Sequence, residues 1–83
     1  MSEMVITVRF FASYADSLGL DRTQLALDSG ARVSDVLASV AQLPGAAAIP
    51  VSPRVAVNHV FADIDTILET GDEVAFIPPV AGG

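Results

Sequence analysis

The sequence predicts an α+β fold in which a mixed sheet packs on one main helix. Three features of the 83 residues carry that expectation. Strand-like alternation runs through Met4–Phe11 near the start and through Glu73–Ile77 near the end. Between them Val33, Val36, Leu37 and Val40 fall at helical spacing and make one apolar stripe. The length allows one domain and one core, too little chain for a doubly wound sheet.

In the first strand Ile6, Val8 and Phe10 face the core, while Thr7, Arg9 and Phe11 share the other face. Ala12–Leu18 forms a short helix that Gly19 closes, because a residue without a Cβ suits the left-handed position after a helix. Thr23–Leu27 is a second strand with Leu25 and Leu27 inward, and Asp28-Ser29-Gly30 has turn chemistry. The main helix is expected over Val33–Leu43, with Asp35 at the positive end of its dipole and Pro44-Gly45 as its stop. Arg32 is a poor N-cap. Residues 45–53 read as a loop whose three alanines, bracketed by prolines, are too few for a helix. Arg54–Asn58 is a third strand, and Asn58-His59 turns it into a short partner holding Val60 and Phe61. Ile64, Ile67 and Leu68 are expected to pack an irregular crossover, and Thr70-Gly71-Asp72 is the turn before the last strand. Strand, short helix, strand, long helix and then two or three strands is the order of a β-grasp. In that arrangement the first and last strands lie side by side, so the chain leaves from the centre of the sheet. Residues 1–77 are then the domain and 78–83 a tail.

Composition narrows the function. A net charge of −6, with four Arg and no Lys, argues against a nucleic-acid ligand and suits basic partner surfaces. The absence of Cys removes disulfides, thiolate nucleophiles and thiolate metal sites. No apolar run approaches the roughly 18 residues of a membrane span, and the start lacks a signal-peptide pattern, so the expected address is the cytoplasm. A hydrophobic fraction of 52% and a mean hydropathy of +0.57 leave apolar side chains at the surface, which points to a partner.

Period-two alternation says where. With Val74 and Phe76 inward, Glu73, Ala75 and Ile77 point out, as Phe11 does on the first strand. Phe11, Ile77 and, less directly placed, Phe61 make a candidate partner-binding patch around the root of the tail. The alternative is that Phe11 and Phe61 tuck under the short helix and the crossover as core.

Pro78 and Pro79 lack an N–H and hold φ near −65°, so the ladder cannot continue past Ile77. The tail Pro78, Pro79, Val80, Ala81, Gly82, Gly83 is expected to project, its last four residues reaching about 13 Å at full extension. Gly82 and Gly83 have no Cβ and can thread a channel too narrow for other residues. Fixing those four residues in a channel costs about 1–2 kcal/mol each. Burying the patch at roughly 1.5–3 kcal/mol per side chain offsets that cost.

No other residue set reads as catalytic. His59 has no second His or Cys to share a metal and reads as a turn residue. Asp63 with Asp65, and Asp72 with Glu73, read as loop and strand-edge solvation rather than an acid–base pair. Ser13, Ser34 and Ser39 lack a nucleophile-elbow context, and Gly30, Gly45 and Gly71 do not build a phosphate loop. By elimination the reactive group is the carboxylate of Gly83. An α-carboxylate with a pKa of about 3.5 is ionised and a poor electrophile until activated. An ATP-using partner can make it an acyl-adenylate, from which sulfur or an amine displaces AMP. A thiocarboxylate formed this way delivers sulfur to an electrophilic carbon and returns to carboxylate, which lets a chain without cysteine carry sulfur.

Arg9-Phe10-Phe11-Ala12, Ala56-Val57-Asn58 and the run from Gly71 through Pro78-Pro79 to Gly82-Gly83 resemble the molybdopterin synthase small subunit family. The resemblance spans nearly the whole chain, and residues 71–83 are its specific part. It implies a ubiquitin-like β-grasp fold and a sulfur carrier that is not an enzyme by itself. The chain would be the sulfur-donor subunit of a sulfurtransferase, with the active site in the large subunit. It implies that Gly83 is adenylated by an E1-like adenylyltransferase and thiocarboxylated with sulfur from a donor protein. The tail would then enter the large subunit of molybdopterin synthase and give sulfur to cyclic pyranopterin monophosphate, building the dithiolene of molybdopterin within a heterotetramer. ATP and zinc would belong to the activating partner, with no cofactor or metal bound by this chain. Family positions that pack on partners fall on Phe11, Phe61 and Ile77. The departures are Ile77 for a commonly aromatic residue, Arg32 for a capping Thr, and the loop over residues 45–53. The competing functions are a sulfur carrier for thiamine or cysteine biosynthesis, a ubiquitin-like modifier of lysines, and an adaptor with an inert tail.

Overall fold

The computed structural model describes residues 3–79, so the expectations on Val80, Ala81, Gly82 and Gly83 lie outside the described residues. The elements are β1 (Glu3–Phe10), α1 (Ala12–Leu18), β2 (Arg22–Asp28), α2 (Val33–Val40), β3 (Arg54–Val57), β4 (Val60–Ala62) and β5 (Glu73–Ile77). The described strands form one sheet in the order β2-β1-β5-β3-β4. β5 pairs parallel to β1, and the other neighbouring pairs are antiparallel. This is the ubiquitin-like β-grasp, with its last strand in the middle.

The inward residues do what alternation asks of them. Val8 sits opposite Val74 and Phe10 opposite Phe76, and the two phenyl rings lie 5.3 Å apart at a tilt of 41°. Val33, Val36 and Val40 of α2 close this layer, with Met4, Tyr14, Val55 and Leu68 at its borders. Leu25, Leu27 and Leu37 pack on the cluster as partly buried residues. Burying a side chain the size of Phe10 or Phe76 stabilises by roughly 1.5–3 kcal/mol, so this seam anchors β5 to the domain.

Local chemistry sets the ends of the elements. Gly19 takes φ +74 and donates its N–H to the Ala15 carbonyl, ending α1 where expected. The weak Arg32 cap is compensated from the other side: the Asp35 carboxylate accepts the Arg32 N–H at 2.8 Å, and α2 begins at Val33. Asn58 and His59 adopt φ +51 and +72, the left-handed pair that fits a two-residue hairpin between β3 and β4. The Asn58 carboxamide accepts the Glu73 N–H at 3.0 Å and donates to Asp72 at 2.9 Å, tying that hairpin to the start of β5.

Three expectations need correction. α2 stops at Val40 rather than Leu43, and Gln42 and Leu43 donate to Ser39 and Val40, a tightened final turn. Pro44 disfavours helical geometry at the residue before it, which explains the early stop. Ala46–Ala48 form one turn of 3-10 helix after all, entered through Gly45 at φ +88. A 3-10 turn needs only three residues, so bracketing prolines do not exclude it. Of the crossover residues Leu68 is buried, whereas Ile64 and Ile67 are exposed. The segment is held by main-chain bonds from Val33 to Thr66, Ser34 to Ile64 and Leu68 to Ala31 rather than by those side chains. Ala75 points outward as expected but is buried, as is Ala56 across from it.

Candidate functional site

Directly paired residues in a sheet share a face, so the register maps the surface opposite α2. One row crosses the sheet as Arg22, Arg9, Ala75, Ala56 and Phe61. The next row toward the end of β5 holds Ile77 and Arg54, with Phe11 one step past β1 on the same side. The two alanines lie between the larger Arg9 and Phe61, which accounts for their burial. Phe11 is 37% exposed, Phe61 64%, and Ile77 is half-buried. The sequence left two positions open for Phe61. Its pairing with Ala56 puts it on the outer face, and the core alternative for Phe11 and Phe61 falls with it.

Two arginines accompany the aromatic rings. The Arg9 guanidinium lies 5.0 Å from the centre of the Phe11 ring, and that of Arg54 lies 5.0 Å from the centre of Phe61. Both distances are within cation–π range. Arg9 makes a long 4.0 Å contact with Glu73, and its buried Nε has no hydrogen-bond partner. Arg54 has no ion pair among the described residues.

Strand β5 delivers the chain to this surface. Beyond Ile77 the two prolines leave the ladder, Pro78 half-buried and Pro79 exposed. A cleft of about 510 Å³ opens at that point, lined by Tyr14, Pro50, Pro53, Arg54, Phe61, Ile77, Pro78 and Pro79. Phe61, Ile77 and the two prolines therefore line one surface. Sequence reasoning missed three groups here. The outward face of Arg9 was legible, since it shares strand parity with Phe11, whereas Arg54 reaches the patch only through its register with Ile77. Tyr14 had no such signal: it is buried from α1, and only the tertiary fold brings it beside the 50–53 segment.

The remaining candidates resolve into structure. His59 is a hairpin residue with a largely exposed ring 3.8 Å from the Glu73 carboxylate. Asp72 caps its own turn by accepting the Glu69 N–H at 2.8 Å. The Asp65 carbonyl accepts from the Arg32 guanidinium at 3.0 Å. Among the described residues no three His, Cys, Asp or Glu side chains gather as a metal site, and no helix is long and apolar enough to cross a membrane.

The ThiS family model matches residues 8–83. The molybdopterin synthase sulfur carrier subunit of Haemophilus influenzae is 33% identical over 82 residues, covering 95% of this chain and 100% of that protein. Its counterpart of the same name from Escherichia coli is 35% identical over 81 residues, again covering 95% and 100%. Among solved structures, SAMP1 from Haloferax volcanii superposes with a TM-score of 0.84 at 25% identity, over 95% of this chain and 99% of that one.

Proposed function

The chain belongs to the ThiS family, and on that premise we propose that it is the sulfur-carrier subunit of a molybdopterin synthase. The names of two relatives matched over nearly their whole length support this reading. The observation that carries it here is the exit of the central strand β5, through Pro78-Pro79, into an exposed aromatic patch. That geometry gives a partner an apolar surface to grip beside the point where the chain leaves the sheet.

The chemistry belongs to Gly83. Its carboxylate attacks the α-phosphorus of ATP in an E1-like adenylyltransferase, forming the acyl-adenylate and releasing pyrophosphate. Hydrosulfide, the sulfide-level sulfur supplied through a donor protein, attacks the acyl carbon, displaces AMP and leaves a thiocarboxylate. In the large subunit the thiocarboxylate sulfur adds to an electrophilic carbon of cyclic pyranopterin monophosphate, and water returns the carrier to the carboxylate. Residues 78–83 occupy the partner channel, and Phe11, Phe61 and Ile77 anchor the domain against it. The carrier supplies no acid, base or metal, so the catalytic groups, ATP and zinc reside in its partners.

Intact mass after incubation with the adenylyltransferase, ATP and a sulfide source tests the first half. The expected result is replacement of one oxygen by sulfur, abolished by deleting Gly83. Sulfur transfer to the pterin on addition of the large subunit tests the second half. An unchanged mass with a competent activating enzyme refutes the carrier reading. The likeness to SAMP1, a small archaeal modifier protein, favours one second reading: capture of the same adenylate by a target amine. Stable adducts between this chain and other proteins, in place of the thiocarboxylate, would select it.

A further inference from the structure

The net charge of −6 points toward basic partners, but the charge is not evenly spread. Three of the four arginines, Arg9, Arg22 and Arg54, lie on the outer face of the sheet by register. The acidic side chains at the same end are Asp21, next to Arg22 and beside the end of β1, Glu73, already beside Arg9 and His59, and Asp63, which shares a shallow hollow with Arg54 and Phe61 without pairing to it. Arg54 is thus an exposed cation without an ion pair among the described residues, next to Ile77 and the two prolines.

From this we infer that Arg54, supported by Arg9, is a specificity residue of the docking surface, and that it binds carboxylates on an acidic rim of the partner. The inference rests on the sulfur-carrier reading and adds the partner's chemistry to it. Contact with the Phe61 ring, whose centre lies 5.0 Å from the guanidinium, limits the swing of a side chain that would otherwise sample many rotamers. Among the described residues no carboxylate pairs with the N–H edge of Arg54. That edge matches a carboxylate in two parallel hydrogen bonds. Arg54 also borders the cleft that Ile77, Pro78 and Pro79 line. A partner that takes the tail therefore comes within reach of it. Arg9 stands on the other side of β5, with only a long 4.0 Å contact to Glu73 as its ion pair. Carboxylates spaced to meet both would straddle the emerging tail and fix its entry direction.

The test is the sign of a charge effect. Binding of the full-length chain to the large subunit of molybdopterin synthase from the same organism is measured by calorimetry at low and raised salt. Arg54→Gln is compared with Ala38→Glu, which makes an equal change in net charge on the exposed side of α2. The expected result is about tenfold or greater weakening for Arg54→Gln at low salt, a gap that narrows as salt rises, and no comparable change for Ala38→Glu. Arg54→Lys should recover part of the loss, since it keeps the charge but not the fork. Tighter binding by Arg54→Gln, or equal shifts in both variants, would mean that net charge governs a basic partner and would overturn the inference. Unchanged affinity would overturn it too, reducing Arg54 to a cover for Phe61. Failure of the unaltered chain to bind would instead remove the sulfur-carrier reading, and the inference with it.

Discussion

Replacing Gly45 with alanine should cost more stability than any other single-methyl addition at a described glycine. Gly45 has φ +88, and a Cβ built there would collide with the Ser17 carbonyl oxygen and sit 2.9 Å from its carbon. It would also lie 3.2 Å from the Leu18 Cα. These are backbone atoms of the last turn of α1, which is pinned by the Gly19 N–H bond to Ala15. No side chain can rotate away, so either α1 or the segment starting at Gly45 must move. Left-handed geometry alone costs about 1–2 kcal/mol for a residue with a Cβ. Overpacking against fixed neighbours adds about 1–3 kcal/mol. Gly30 supplies the internal control: φ is +90 there too, but a Cβ would meet nothing within 4 Å. Gly30→Ala should therefore lose only the first term. A domain of 83 residues has a total stability of roughly 4–12 kcal/mol, so the Gly45 variant loses a large share of it. Urea denaturation followed by far-UV circular dichroism measures both variants. Equal losses would refute the close approach of this segment to α1. The consequence reaches the candidate site, because the same segment continues into Pro50 and Pro53 of the cleft beside Ile77, Pro78 and Pro79.

Two aromatic truncations should separate folding from docking. Phe76→Ala empties a fully buried position and is expected to cost about 3–5 kcal/mol, whereas Phe61→Ala, on an exposed ring, should cost under about 1 kcal/mol yet weaken association with the large subunit. Thermal denaturation and a binding titration on the same samples check the pair, and a Phe61 variant that binds normally would remove that residue from the anchor. His59→Gly should stabilise the domain by about 1 kcal/mol, because His59 bears φ +72 in the β3–β4 hairpin and glycine adopts it without strain. A fall in melting temperature would show that the contact with Glu73 outweighs the backbone term.

Strand parity needs only a period of two and a buried partner layer, so the sequence by itself determined which side chains of β1 and β5 face the core. It determined the end of α1 at Gly19, the departure from the ladder at Pro78-Pro79, and the outward side of Phe11 and Ile77 next to those prolines. Those features depend on residues close in sequence or on a single repeating geometry. The features it left open or misread depend on pairing between distant segments. Phe61 became an outer-face residue through its opposition to Ala56, and Leu68 alone among the crossover apolar residues found the core. The 3-10 turn at Ala46–Ala48 and the squeeze at Gly45 exist because that segment meets α1. The largest difference concerns charge. A sum over the chain gives −6 and suggests basic partners, yet register gathers Arg9, Arg22 and Arg54 on the outer face of the sheet, which Ile77 shares. Electrostatic attraction at contact is governed by the charges within about 10 Å, not by the total. Composition cannot show that arrangement; the sheet decides it.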